Sequence, residues 1–81
     1  MDITIYSTSR CDACDKLEQW LTRQDVSYQK KITDKNPGHM KEFMAVNDGM
    51  VGVPLTIIET DDGRTTKVAG FNREKLEAAL E

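Results

Sequence analysis

Two cysteines stand three positions apart, Cys11-Asp12-Ala13-Cys14, and they are the only two in the 81 residues. A bridge between them closes a loop too small to constrain much of the unfolded chain, so a stabilising staple is not its purpose. Redox chemistry and metal binding remain. A thiolate that attacks a substrate disulfide forms a mixed disulfide, and a second thiol one helical turn away can release the reduced substrate by closing the protein's own bridge. The direction of that reversible exchange follows the reduction potential, roughly −180 to −270 mV among such exchangers. Zinc is the other use, because Cys-x-x-Cys supplies half of a tetrahedral site. The other half is missing: the single histidine, His39, opens a different helix and reads as a solvated first-turn residue.

The elements that must position the pair can be read from the pattern. Ile3-Thr4-Ile5-Tyr6 is β-branched and aromatic and runs into Ser7-Thr8-Ser9-Arg10, a short buried strand followed by a loop. From Asp12 to about Arg23 there is no Gly or Pro. Ala13, Cys14, Leu17, Trp20 and Leu21 fall at spacings of three and four, as on an amphipathic helix. Val26 to Ile32 alternates as a second strand. Asn36-Pro37 pairs a good N-cap with the residue favoured at the first helical position, and Met40, Phe43, Met44 and Asn47 carry a stripe to Asp48-Gly49. Pro54 to Glu59 is the strongest strand signal, joined through Asp61-Asp62-Gly63-Arg64 to Thr65–Ala69 as a hairpin. After Gly70-Phe71, Asn72 caps a last helix with Leu76, Ala79 and Leu80 on its apolar side. The order is β-α-β-α-β-β-α. That predicts an α/β fold with a four-stranded mixed sheet and three helices, in one domain over residues 1–81.

This placement gives each cysteine a task. Cys11 lies at the mouth of the first helix, where unpaired amide N–H groups and a partial positive charge favour a thiolate. Cys14, one turn in, is less accessible. Cys11 is therefore expected to attack and Cys14 to resolve. Arg10 and Lys16 favour the thiolate, whereas Asp12 and Asp15 flank the same turn and oppose it, so Cys11 is expected to be less acidic than in a strongly oxidising site.

Composition narrows the function classes. With 38% hydrophobic and 31% charged residues the chain should fold, and Lys plus Arg total 11 against 14 for Asp plus Glu, a net charge of −3. Nothing supplies the basic stripe that nucleic acid requires. No apolar run is long enough to span a membrane, and the segment from Met1 to Ile5 lacks the features of a signal peptide, so a cytoplasmic protein is expected. Trp20, Phe43, Met40 and Met44 read as core or groove-lining residues, and the cluster Lys30, Lys31 and Lys35 as a solvated face.

Three landmarks resemble the glutaredoxin branch of the thioredoxin superfamily. Ile5-Tyr6 leads through four residues to Cys11-Asp12-Ala13-Cys14, Gly52-Val53-Pro54 precedes the third strand, and Gly70-Phe71 precedes the last helix. The resemblance implies a thioredoxin (glutaredoxin-like) fold and a thiol–disulfide oxidoreductase. Pro54 would be cis and face the cysteines, and the backbone of Val53 would pair with a bound peptide or glutathione. Arg10, Gly70, Phe71 and Asn72 would complete the substrate or glutathione groove, with Phe71 either plugging the core or lining that groove. No bound cofactor is implied. Electrons would come from glutathione or from thioredoxin reductase, and the partner would be a disulfide-containing protein met by a monomer. The chain departs from ordinary dithiol glutaredoxins at several positions. Asp12 and Ala13 replace Pro-Tyr between the cysteines, Thr8 stands in place of a lysine, and Asn72-Arg73 replace the Asp-Asp pair that holds the glutathione amino group. Gly70-Phe71 is instead similar to the Ser-Gly-Phe segment of NrdH-redoxins, which carry electrons from thioredoxin reductase to ribonucleotide reductase. Those proteins have a Trp and a Pro where this chain has Val68 and Arg73. A different class within the family, the iron–sulfur glutaredoxins, holds a cluster between two subunits through one cysteine of each and glutathione thiols.

Overall fold

The computed structural model describes residues 1–50 and 52–80. The elements run β1 (Asp2–Ser7), α1 (Asp12–Arg23), β2 (Gln29–Ile32), α2 (Pro37–Val46), β3 (Leu55–Glu59), β4 (Thr65–Ala69) and α3 (Arg73–Leu80). They form one four-stranded sheet in the order β2-β1-β3-β4. β1 and β2 are parallel, and the β1–β3 and β3–β4 pairs are antiparallel. The mixed sheet with three helices expected from the element order is what forms.

Strand alternation divides the core into two faces. On one face Ile3, Ile5, Ile58 and Val68 pack against Leu17, Trp20 and Leu21 of α1 and Leu76 of α3. On the other, Tyr6, Leu55 and Ile57 meet Phe43 of α2, with the Tyr6 and Phe43 rings 5.8 Å apart. The sheet is thus sandwiched, and β1, its central parallel strand, contributes to both sides.

Several boundaries and surfaces differ from the sequence reading. The second strand begins at Gln29, not Val26, because residues 24–26 are used to end α1. Asp25 sits in the left-handed region at φ 57°, its N–H donates to Thr22 O at 3.1 Å, and the Val26 N–H reaches back to Leu21 O at 3.5 Å. The third strand begins at Leu55, and Pro54, which has no N–H to give a ladder, precedes it. Met40 and Met44 are not core: they are 39% and 65% exposed while Phe43 is buried. Met44 lies about 100° around the helix from Phe43, and α2, alone on its face of the sheet, buries only a narrow stripe. The lysines are not simply solvated. Lys31 donates to Glu42 at 2.7 Å and lies 5.7 Å from the Tyr6 ring centre, and Lys30 pairs with Glu18 at 3.0 Å. His39 is half-buried at the start of α2, where Asn36 Oδ1 accepts the N–H groups of Gly38 and His39 as the N-cap.

Candidate active site

β1 ends on the strand-to-helix loop that carries the cysteines. Cys11 is the N-cap of α1, with extended backbone (φ −154°, ψ 100°), and its Sγ accepts the Cys14 N–H at 3.1 Å. Its carbonyl accepts the Asp15 N–H at 3.2 Å, the first bond of the helix. The sulfur thus occupies the place that a Ser or Asp oxygen takes at an ordinary helix start, where the backbone N–H groups and the helix dipole favour negative charge. Cys14 is 1% exposed and Cys11 is half-buried. The two are joined in a disulfide with their Cα atoms 5.2 Å apart. Asp12 and Asp15 are both in the first turn and exposed, so the competition between acidic side chains and the helix terminus is built into the site.

Two other loops converge on the same rim. The Val53–Pro54 peptide is cis, and Cys11 Sγ is 4.0 Å from the Val53 carbonyl oxygen. The Gly70 N–H donates to Pro54 O at 2.8 Å, which fixes the end of β4 beside the proline. Gly70 has φ 75°, a conformation that favours glycine over residues with a Cβ. Phe71 follows, half-buried, its ring 6.5 Å from Trp20 and packed against the α1–α3 side of the core. Asn72 is half-buried as the cap of α3. Its Oδ1 accepts the Lys75 N–H at 3.1 Å and its carbonyl the Leu76 N–H at 3.0 Å. That oxygen is committed to the helix, which leaves the side-chain amide as the group Asn72 can offer a ligand. Arg10 is exposed immediately before Cys11.

Other contacts at the site were not foreseen from the sequence. Asp34, between β2 and α2, accepts the Ser9 N–H at 2.9 Å and the Ser9 hydroxyl at 2.5 Å. The Ser9 hydroxyl, foremost, holds the Asp34 carboxyl below its ordinary range. Thr33 donates through both its N–H and its hydroxyl to Ser7 O, at 2.8 and 3.1 Å. Together these two residues clasp the loop that presents Cys11. On the other side of the site, Lys67 of β4 donates to Val46 O at 2.8 Å and to Asp48 at 2.6 Å, tying down the end of α2 from which the chain continues to Val53. The only sequence signal for Ser9–Asp34 is a Ser and an Asp in two loops at the same end of parallel neighbours, which no local pattern singles out. Among the described residues, no group of three or more His, Cys, Asp or Glu side chains converges to hold a metal ion.

A half-buried sulfur at a helix start, bonded to a buried partner one turn in, beside a rim of proline and glycine backbone, makes a site for thiol–disulfide exchange. The family model for glutaredoxin matches residues 3–61. The comparison with curated proteins found no match. Among solved structures, the glutaredoxin of Archaeoglobus fulgidus is 25% identical with a TM-score of 0.78, over 99% of this chain and 86% of that one. The thioredoxin-like protein BC3987 is also 25% identical, with a TM-score of 0.76 over 98% and 100% of the two chains. The glutaredoxin-like NrdH-redoxin of Escherichia coli shares the fold at 20% identity, with a TM-score of 0.73 over 95% and 93%. With its cysteine pair, its sheet and the family match over most of its length, the chain belongs to the glutaredoxin family of thiol–disulfide oxidoreductases.

Proposed function

We infer that the chain is a dithiol electron carrier that reduces protein or glutathione mixed disulfides, with Cys11 as nucleophile and Cys14 as resolving thiol. The observation that carries this reading is the asymmetry of the pair: Cys11 Sγ caps α1 at the accessible rim, and Cys14 is buried beneath it. A substrate disulfide can reach only the first sulfur, and the second can act only once a mixed disulfide has formed. Val53 lies beside Cys11 and offers backbone along which an extended substrate can lie, with Pro54, held by the Gly70 N–H, and Arg10, Phe71 and Asn72 as the groups proposed to line it. The exchange needs no bound cofactor. Replacing Cys11 with Ser should abolish turnover of a small disulfide, and Cys14→Ser should trap the mixed disulfide, seen as an added mass on the protein. An active Cys11→Ser variant would refute the assignment.

A second reading concerns the electron source. In it the chain takes electrons from thioredoxin reductase and passes them to a protein such as ribonucleotide reductase, as the NrdH-redoxins do. It is supported by the end of the groove, where the Asn72 oxygen is spent on capping α3 and Arg73 places a cation where an acidic residue would be needed for the glutathione amine. Turnover with glutathione and glutathione reductase, run in parallel with NADPH and thioredoxin reductase, separates the two. Activity with glutathione supports a glutaredoxin cycle, and activity only with thioredoxin reductase supports the second reading.

A further inference from the structure

Lys67 lies in the middle of β4, an edge strand of the sheet. A lysine on an edge strand is ordinarily a solvated guard against edge-to-edge pairing, with its ammonium in water. This one is not. Its side chain is only 22% exposed, and its ammonium donates to Val46 O at 2.8 Å and to Asp48 at 2.6 Å. Strand alternation puts it on the face opposite Val68, and its register partner Ile57 belongs to the Tyr6, Phe43 and Leu55 cluster. Fixing a long side chain costs rotamer entropy, so an edge lysine held in this way calls for a reason.

What Lys67 holds is the start of the segment that leads to the cysteines. Val46 is the last residue of α2, and its carbonyl is one that the helix leaves without an intrahelical partner. A cation at that end is also favoured by the helix dipole. Beyond it the backbone has little preference of its own to follow this path: Asp48, Gly49 and Gly52 are left-handed, at φ 51°, 78° and 85°. The bonds within the turn, Met50 N–H to Asn47 O at 2.8 Å and Gly49 N–H to Asn47 Oδ1 at 3.3 Å, do not reach the sheet. Among the described residues, the hydrogen bonds that join residues 46–50 to the sheet are the two donated by Lys67. Met50 and Val53 pack on the cluster that includes Ile57, and the Val53 carbonyl oxygen lies 4.0 Å from Cys11 Sγ. Gly70, which follows β4, holds the far side through its bond to Pro54 O. The same stretch of chain thus secures the segment twice: Lys67 where it leaves α2, and Gly70 where it meets β3.

We propose that Lys67 is a positioning residue for peptide substrates: through Val46 and Asp48 it keeps the Val53 backbone in the path an extended peptide follows, and so sets the preference for peptide over small disulfides. This rests on the reading of Val53 as substrate-bearing backbone. The bonds of Lys67 go to the end of α2 and the turn after it, not to the cysteines, so the intrinsic attack of Cys11 on a disulfide does not depend on it. Its removal acts on binding. A segment that occupies the held path only about a tenth of the time binds a peptide that needs that path about tenfold more weakly. A disulfide that needs only Cys11 is indifferent to the change.

The test compares two uncharged disulfides in reaction with the reduced full-length chain: the disulfide dimer of an acetylated, amidated peptide Ala-Ala-Cys-Ala-Ala, and the disulfide of mercaptoethanol. Only the first has a backbone to pair with Val53. Second-order rate constants are read by acid quench and mass spectrometry, and wild type is expected to prefer the peptide. Lys67→Met should lower the peptide rate about tenfold and leave unchanged both the mercaptoethanol disulfide rate and the pH profile of Cys11 alkylation. Lys67→Arg, whose guanidinium can also donate to two acceptors, should keep the wild-type preference. An unaltered peptide rate in Lys67→Met overturns the proposal, and so does an equal slowing of both disulfides, which is what a merely structural role would give. Should Lys67→Met not fold, Asp48→Asn removes one charge of the pair at a 63% exposed position. It should lower the peptide rate about threefold and leave the other rate alone, and an unchanged peptide rate there is equally decisive against the proposal. Wild type without a preference for the peptide would remove Val53 from the substrate path, a failure of the underlying reading that takes this proposal with it. A preference that survives in Lys67→Met sinks this proposal alone.

Discussion

At the scale of single residues, the reactivity of this protein is set by what surrounds one sulfur. Cys11 Sγ sits where the helix offers its unpaired N–H groups, and it already accepts one of them from Cys14. Acting alone, that position would depress a thiol strongly. Asp12 and Asp15, in the same first turn, oppose the helix field with full negative charges, although both are exposed and therefore partly screened. The reduced protein should thus have a Cys11 lowered from the ordinary thiol range but not into the acidic range of the most oxidising members of this chemistry. Thiolate absorbance titration checks this. Replacing both aspartates with asparagine should move the titration further down, and no movement would mean that the acidic residues do not act on the sulfur.

At the scale of elements, the loop carrying Cys11 is held by its neighbours rather than by its own sequence. The junction between β2 and α2 supplies Thr33 and Asp34, which bond Ser7 and Ser9. Because the folded-state pKa of Asp34 lies below its unfolded value, the contact contributes stability above the unfolded value and loses it as the pH falls through the folded one. The Ser9 amide is therefore expected to be protected from hydrogen exchange near neutrality and to lose protection as the pH falls below about 4. In Asp34→Asn the protection should be low and independent of pH in that window; strong acid-insensitive protection in wild type would show that Asp34 does not hold the loop. α2 makes a second contrast. Phe43→Ala should cost about 3 kcal/mol by emptying the site against Tyr6, whereas Met44→Gln, on the exposed flank, should stay within about 0.5 kcal/mol, both read from urea denaturation.

At the scale of the whole molecule, a short chain concentrates its stability on the α1–α3 face. Leu17, Leu21, Ile5, Ile58 and Leu76 are fully buried there, and α1, which presents the cysteines, contributes two of the five against one from α3. The element that carries the cysteine pair is thus anchored in the larger core, which is expected to hold Cys14 in place if Cys11 is the sulfur that meets substrate. Leu17→Ala, one turn below Cys14, should lower unfolding stability by about 2–5 kcal/mol in urea denaturation of the oxidised protein. A loss below about 1 kcal/mol would show that the helix is not held by this core. No helix of the described residues is long and apolar enough to cross a membrane.

The sequence by itself determined the cysteine pair, its place between strand and helix, the order of the seven elements and the hairpin, because these depend on local signals: periodicity, caps and turn residues within a few positions of one another. It pointed to Val53, Pro54 and Gly70 only through resemblance, since nothing local says that loops separated by tens of residues meet at Cys11. The start of β2 was misread because alternation at Val26 and Tyr28 looks like a strand, while the left-handed Asp25 that ends α1 leaves no apolar mark. The core reading of Met40 and Met44 failed because helical spacing says which residues share a flank, not how wide a stripe the sheet will cover. Only the tertiary structure decided that Asp34 clasps Ser9, that Lys67 ties α2 to β4 and that the Ser7 hydroxyl is buried, with no partner among the described residues, on the Cys14 side of the sheet. Each is a pairing, or a missing pairing, between groups whose proximity is created by the parallel register of β1 and β2 and the packing of helices on the two faces, and such proximity exists only once the sheet has formed.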